Sequence, residues 1–185
     1  MTEPEREVEV KLLGLDRDAL ERTLQAQGAT FDREEHQINV RLSNPAHPLP
    51  EAEYLRLRTI EVEGEAPVHE LTLKRRVSKE GARVNEEYTV HVDDPEAALL
   101  LMEKLGFSEK EAARKTRRRY LWQDFRVEFD TWDADYLPVP YVEVEAPSPE
   151  ALEGFLAAFQ IPSASVSTLS IGDLRRTVQN ERHDA

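Results

Sequence analysis

The chain has 185 residues, with 37 acidic against 24 basic side chains and a formal charge of −13; this is one domain over 1–185, too acidic to take nucleic acid or an anionic membrane as partner. Cysteine is absent, which excludes disulfides and thiolate metal sites and fits a cytoplasmic protein. The acidic N-terminus (MTEPEREVEV) lacks the apolar stretch of a signal peptide, and no apolar run approaches the length of a membrane helix.

From there on, strict apolar–polar alternation dominates, broken by segments of helical spacing. Val8, Val10 and Leu12 interleave with Glu7, Glu9 and Lys11 in a first strand. Asp16 to Gln27 reads as a helix, with Leu20 and Leu24 four apart and Gly28 as its stop. Ile38, Val40 and Leu42 alternate with Gln37, Asn39 and Arg41, and the prolines between Ser43 and Glu51 then mark a loop. Leu55 and Leu57 alternate with Arg56 and Arg58, and Leu71 and Leu73 with Thr72, Lys74 and Arg76. Val84, Val90 and Val92 share one parity and leave Glu87, Thr89 and His91 on the other. A second helix starts at Asp94-Pro95, carries the stripe Leu99, Met102 and Leu105, and ends at Gly106. Lys115, Arg117 and Arg119 lead to Tyr120; Val127 and Phe129 lie between Arg126, Glu128 and Asp130. After a loop over Asp133–Pro140, Val142 and Val144 alternate with Glu143 and Glu145. A third helix begins at Ser148-Pro149, with Leu152, Phe155, Leu156 and Phe159 on one side and Pro162 beyond it, and a short fourth runs from Ser170 to Asn180. The expected layout is strands over about 5–146, roughly eight of them, with C-terminal helices over about 148–180.

An ordinary sheet hides the apolar face and exposes the charged one. Here the charged face is rich in arginine and sorted by type, acids on the first and last strands and bases on the middle ones. The apolar face has candidate covers in three amphipathic helices. The expected fold is therefore α+β, mainly β: a closed eight-stranded antiparallel tunnel barrel with a charged lumen and helices packed outside. A barrel of that size holds side chains or one small ligand. Alternation points Lys11, Arg56, Arg58, Lys74, Arg76, Lys115, Arg117, Arg119 and Arg126 inward, together with Glu7, Glu9, Glu87, Glu128, Asp130, Glu143 and Glu145. So many buried charges must pair with one another and with something else. A tri- or tetra-anionic chain on the bases, with divalent cations on the acids, would nearly balance the sum. A membrane barrel also alternates, but it requires a signal sequence and aromatic girdles.

The opening Glu7-Val-Glu9-Val-Lys11 places two carboxylates and an ammonium in one row, roughly 6.5 to 7 Å apart. Oxygen-only carboxylate clusters suit Mg²⁺ or Mn²⁺. The string is followed in order by Leu-Arg56-Leu-Arg58, Leu-Thr-Leu-Lys74-Arg-Arg76, Glu86-Glu87, Lys115-Thr-Arg117-Arg-Arg-Tyr120, Phe129-Asp130 and Val142-Glu143-Val-Glu145. That ordered series, over residues 5 to about 146, resembles the CYTH family, the triphosphate tunnel metalloenzymes, which includes class IV adenylyl cyclases and thiamine or inorganic triphosphatases. The resemblance implies a tunnel barrel acting on triphosphates with Mg²⁺ or Mn²⁺ as cofactor. It implies metal-binding acids at Glu7, Glu9, Asp130, Glu143 and Glu145, and phosphate-binding bases at Lys11, Arg56, Arg58, Lys74, Lys115 and Arg117; alternation adds Arg76 and Arg119 as candidate phosphate contacts, with a solvated rim position as the alternative. Glu7, Glu9, Lys11 and Glu87 are the candidate catalytic set, parity favouring Glu87 over Glu86. Three positions depart from the family pattern. Asn39-Val40-Arg41-Leu42 stands where the family carries Asp-x-Tyr-Phe, Arg75 where a glycine often follows the lysine, and Ile171 where a tyrosine is usual.

Phosphoryl chemistry on such a substrate is mostly positioning and charge neutralisation. If water attacks, the terminal phosphate is hydrolysed; if a bound nucleotide's 3′-hydroxyl attacks the α-phosphate, a cyclic nucleotide and pyrophosphate result. The expected partner is tripolyphosphate, ATP or thiamine triphosphate, with a homodimer left open. The leading reading is a metal-dependent triphosphate hydrolase, ahead of a class IV-like adenylyl cyclase and of a non-catalytic polyphosphate- or nucleotide-binding module. Glu128 is expected to partner a lumen arginine. His36, His47 and His69 are read as surface groups, and His91, alone of lumen parity, as a rim residue able to accept a proton. Trp122 and Trp132 are read as exterior packing groups.

Overall fold

A strand that is hydrocarbon on one face and charged on the other needs a packed layer on one side and a polar space on the other. In the structure, a computed structural model that describes residues 3–78 and 80–183, the strands meet both needs by closing on themselves. The elements run β1 (Glu5–Leu12), α1 (Arg17–Ala26), β2 (Thr30–Ser43), β3 (Glu53–Glu61), β4 (Val68–Ser78), β5 (Arg83–His91), α2 (Pro95–Lys104), β6 (Glu109–Trp122), β7 (Phe125–Trp132), β8 (Tyr141–Ala146), α3 (Pro149–Ala158), β9 (Val166–Ser167) and α4 (Ile171–His183). Neighbours follow the order β5-β4-β3-β2-β6-β7-β8-β1-β9, and β1 also pairs with β5, which closes β1 to β8 into an antiparallel barrel. The closing seam runs from Glu5 opposite Glu87 to Glu9 opposite Arg83. Beyond it, β9 takes over that edge of β1 at Lys11 and Leu12. This two-residue strand is too short to announce itself by alternation.

The core lies between the barrel's outer surface and two helices. Val8, Val10, Leu12, Val127, Phe129, Val142 and Val144 point outward from the strands and pack with Leu20 and Leu24 of α1 and Leu152 and Phe155 of α3. Burying each such side chain stabilises the fold by roughly 1.5–3 kcal/mol. Trp122, Phe125, Phe155 and Phe159 stack together here, with ring centroids 4.5 to 5.7 Å apart. Trp122 is thus the exterior packing group the sequence suggests.

The helices begin where their caps dictate. Asp16 accepts from the Ala19 amide at 2.9 Å, Asp94 from Glu96 and Ala97, and Ser148 from Ala151. The stop after α2 has a second requirement. Gly106 has a φ of +93°, and a Cβ there would sit 2.7 Å from the Asn44 side chain. α2 packs less deeply than its spacing implies: Ala98 is buried and Leu99 and Met102 half-buried, but Leu105 is 66% exposed. A second apolar cluster of Leu137, Tyr141 and Leu174, with Leu13, Trp132, Tyr136 and Ile171 against it, docks α4 at one end of the barrel. α4 starts at Ile171 and runs past the expected Asn180 to His183. Among the described residues no helix is long and apolar enough to cross a membrane.

Candidate active site: a charged tunnel

Inward-pointing side chains enclose a cavity of about 450 Å³ through the barrel. Every base and acid that alternation directs inward lines it, from Glu7 and Glu9 on β1 to Glu143 and Glu145 on β8, with Asp130 alone held just behind the lining. The charges segregate into three walls, set by strand register.

On the β6–β7–β8 wall, Arg117 is the hub. Its Nε donates to Asp130 Oδ1 at 2.7 Å, its Nη2 to Asp130 Oδ2 at 2.8 Å and to Glu143 Oε1 at 3.2 Å, and its Nη1 meets Glu128. Lys115 Nζ donates to Asp130 Oδ2 at 2.6 Å, and the Tyr141 hydroxyl donates to the same oxygen at 3.0 Å. Burial alone would push the Asp130 pKa up; Arg117 and Lys115 overcome it and hold it at about 2. Burial, with Arg117 adding repulsion, lowers Lys115 to about 8 despite Asp130.

On the β1–β4–β5 wall, Lys74 Nζ lies 2.5 Å from Glu7 Oε2, 2.8 Å from Glu87 Oε1 and 3.4 Å from Glu9 Oε2. Lys11 Nζ sits 2.7 Å from Glu143 Oε2 and 3.4 Å from Glu9 Oε1, which Arg83 Nε approaches to 3.4 Å. Against burial, Lys74 and Arg56 bring the Glu87 pKa down to about 2.

The β2–β3–β4 wall is different, because its guanidiniums are loosely paired or unpaired. The nearest carboxylate to Arg56 is Glu87, at 3.9 Å. Arg58 donates to the amide oxygen of Asn39 at 3.0 Å and has no ion pair among the described residues; nor does Arg76. Burial, then Arg56 and Arg117, weaken the hold of Arg58 on its proton. This wall therefore carries uncompensated positive charge facing a confined space.

Facing it is the converse. Glu128, Glu143 and Glu145 each offer a carboxylate oxygen, all within 4.8 Å of one another. Glu145 Oε2 is 2.7 Å from Arg126 Nε, yet without the alignment of a hydrogen bond. Burial, then the charges of Glu128 and Glu7, raise the Glu145 pKa well above the usual carboxylate range. Glu7 is raised likewise, by burial first, with Glu87 and Glu9 adding to it against Lys74. Within the cluster it is Glu145 that resists ionising; against burial, Lys11 and Arg117 hold Glu143 well below the usual carboxylate range. An all-oxygen donor set of this kind fits a hard divalent cation. The arrangement brings Glu143 and Glu145 together with Glu128, assigned from sequence only as an arginine partner, which it also is: Arg119 Nε donates to its Oε1 at 2.8 Å. Glu7 and Glu9 lie on the lysines instead, and Asp130 is enclosed by Arg117, Lys115 and Tyr141.

Some lining residues escape the pattern of alternation. Glu35 is 1% exposed and bound by Arg33 at 2.9 Å, by Arg119 at 3.3 Å and by Gln37. It sits in the stretch Phe-Asp-Arg-Glu-Glu-His, which has no apolar beat to set its parity. Arg83 opens β5 just after a turn and binds the Asn85 side chain at 3.1 Å. Trp132 is a correction to the reading of both tryptophans as exterior. It follows Arg126, Glu128 and Asp130 in register, so it faces inward and lines the tunnel beside Tyr136. His91 lines the cavity at an exposed position, while His36 and His69 bond to Thr116 and Thr59.

The same barrel recurs in solved structures. The PH1819 protein of Pyrococcus horikoshii OT3 matches with a TM-score of 0.74 and 21% identity, over 91% of this chain and 97% of that one. HpAC1 from Hippeastrum, described as an adenylyl cyclase candidate with a dominant triphosphatase activity, matches at 0.65 and 20% identity, over 94% and 95%. A protein of Vibrio parahaemolyticus described as an adenylate cyclase candidate matches at 0.69 and 19%, over 92% and 98%. No curated protein matches the sequence. At these identities the likenesses concern the fold. The CYTH domain, however, matches residues 5–168, from the first residue of the barrel to just past β9, and the chain belongs to the CYTH family.

Proposed function

We propose that the protein is a divalent-metal-dependent phosphohydrolase that cleaves inorganic triphosphate or a small organic or nucleoside triphosphate in its tunnel. One observation carries this reading: Arg58 and Arg76, which have no carboxylate partner among the described residues, and the loosely paired Arg56 share a confined lumen with the clustered carboxylates of Glu128, Glu143 and Glu145. A polyanion and a cation, entering together, remove both imbalances at once.

Arginine forks grip phosphate oxygens bidentately, and Lys11, Lys74 and Lys115 act as point charges beside them. Arg117 and Arg119 reach the same space, so the chain's own residues hold the phosphates along the tunnel axis. Glu143 and Glu145, with Glu7, Glu9 and Asp130, are the acids proposed to bind Mg²⁺ or Mn²⁺, and Glu128 joins them on geometry. A bound cation would supply neutralisation of phosphate charge and acidify water. Glu7, Glu9, Lys11 and Glu87 remain the proposed catalytic set; Glu87 stays ionised at neutral pH and holds the Lys74 ammonium at 2.8 Å.

A phosphate-rich substrate is favoured over a nucleobase by the state of the lining rings. Each of the lining aromatics has a cation over it: Lys11 over Tyr141 at 5.8 Å, Arg41 over Tyr54 at 5.6 Å, Lys115 over Trp132 at 5.3 Å and Arg175 over Tyr136 at 3.9 Å. That arrangement leaves base stacking in competition with existing contacts. The deciding experiment incubates the protein with Mg²⁺ or Mn²⁺ and tripolyphosphate, ATP or thiamine triphosphate, with and without EDTA, and separates the products. Metal-dependent release of orthophosphate supports hydrolysis. Cyclic AMP with pyrophosphate would replace it with the cyclase reading, and turnover undiminished by EDTA would remove the metal.

A further inference from the structure

Arg41 has no part in the family pattern, where its place belongs to a tyrosine, yet register puts it directly opposite Arg56 on β3. Like charges in directly opposed positions of an antiparallel pair repel and destabilise it. On its other side Arg41 faces Glu111 of β6, which could relieve the repulsion. It does not: Glu111 is held by Arg175 of α4, at 2.6 Å. Among the described residues Arg41 has no carboxylate partner; its guanidinium lies over the Tyr54 ring.

Arg41 stands where the tunnel opens into a second cavity of about 330 Å³ beside the start of α4. Arg41 and Arg76 are the two cations lining both spaces. Arg176, which lines only the outer one, is already paired with Asp173. Glu51 and Glu53 line both spaces too, but neither forms an ion pair with Arg41 or Arg76. Glu109 and Asp173 line the outer space as well, so four carboxylates share it with three guanidiniums, yet none of the four pairs with Arg41 or Arg76, which carry the arginine wall outward past Arg56.

We propose that Arg41, with Arg56 and Arg76, forms an outer phosphate subsite at the α4 mouth of the tunnel, which selects inorganic condensed phosphates longer than three units. The inference rests on the reading of the tunnel as a triphosphate site and extends it by one unit. A chain filling the inner wall emerges beside Arg41, where an anion bridging two opposed guanidiniums turns their repulsion into shared attraction. A nucleoside at that position would bring no charge to bridge them and would have to displace Arg41 from Tyr54.

The test titrates tripolyphosphate, tetrapolyphosphate and ATP calorimetrically into wild type, Arg41→Gln and Arg41→Lys, in EDTA to prevent turnover. Arg41 is exposed and unpaired, so the variants should fold as wild type does. Wild type is expected to prefer tetrapolyphosphate over the other two. Losing one charge-assisted phosphate contact should weaken tetrapolyphosphate about tenfold in Arg41→Gln while tripolyphosphate changes less than about twofold. Arg41→Lys should recover part of the preference, since a point charge replaces a fork. Equal weakening of both phosphates, or no preference in wild type, overturns the subsite alone. Failure of wild type to bind tripolyphosphate both in EDTA and with Mg²⁺ restored overturns the tunnel reading beneath it.

Discussion

Arg117 and Asp130 face each other across β6 and β7 and are joined by two parallel hydrogen bonds, Nε to Oδ1 at 2.7 Å and Nη2 to Oδ2 at 2.8 Å. The remaining capacity of the carboxylate is taken by Lys115 and the Tyr141 hydroxyl. Replacing it by the amide in Asp130→Asn leaves buried Lys115 without its counter-charge and Arg117 with Glu128 and Glu143 alone. Breaking a buried pair from one side costs about 3–5 kcal/mol. Urea denaturation in EDTA should show a loss of that size. An unchanged midpoint would mean that Asp130 matters only when metal is bound.

Glu145 should behave in the opposite way. Its pKa is raised by burial and by Glu128 and Glu7, so holding it ionised at neutral pH opposes folding. For an acid whose folded pKa lies above its unfolded one, stability falls as pH rises between the two values. Glu145→Gln should therefore be more stable than wild type at pH 7 without metal, and less stabilised by added Mg²⁺ or Mn²⁺. Thermal melts with and without metal measure both. A variant stabilised by metal as strongly as wild type would remove Glu145 from the metal site.

Arg58 is the cationic counterpart. It is buried beside Arg56 and Arg117 with an amide oxygen as its hydrogen-bond acceptor. Arg58→Ala is expected to raise the melting temperature of the ligand-free protein and to diminish the further rise on adding tripolyphosphate, since ligand stabilisation scales with affinity. Equal ligand-induced shifts in both proteins would show that Arg58 does not reach the phosphate.

Glu87 sets an acid limit. Burial pushes its pKa up, but Lys74 and Arg56 hold it at about 2, below the ordinary 4.5. An acid depressed on folding contributes stability that is complete above the unfolded value and lost as pH falls towards the folded one. Wild type should weaken between pH 4.5 and 2, and Glu87→Gln should lack that part of the slope. Urea midpoints across this range test it; parallel curves for the two proteins would assign the acid limb elsewhere.

How far the fold was legible follows from where alternation was clean. Val8 to Leu12 and Val142 to Glu145 state their own inward faces, and the arginines of β3 and the lysine of β4 follow suit. Parity failed where the beat was missing or overridden by expectation. Glu35 lies in a run of polar residues, Arg83 stands at a strand's first position, and Trp132 is large and aromatic enough to suggest packing although its register is that of Asp130. No local pattern could reveal that β1 pairs with both β5 and β8, because that depends on pairing between distant segments. Nor could it show that Glu111 is taken by Arg175, which leaves Arg41 unmatched.

The double pairing of β1 also bears on how the barrel forms. β1 precedes its partners Arg83–Glu87 and Val142–Ala146 by roughly 75 and 135 residues. Contacts so remote in sequence form slowly, since loop entropy is lost before the contacts reward it. Docking of β1 buries Glu9, Lys11, Lys74 and Glu143 together. The rate-limiting barrier to refolding should then lie at this seam, and polyphosphate in the refolding buffer should lower it by giving the arginine wall a counter-ion before the last strand closes.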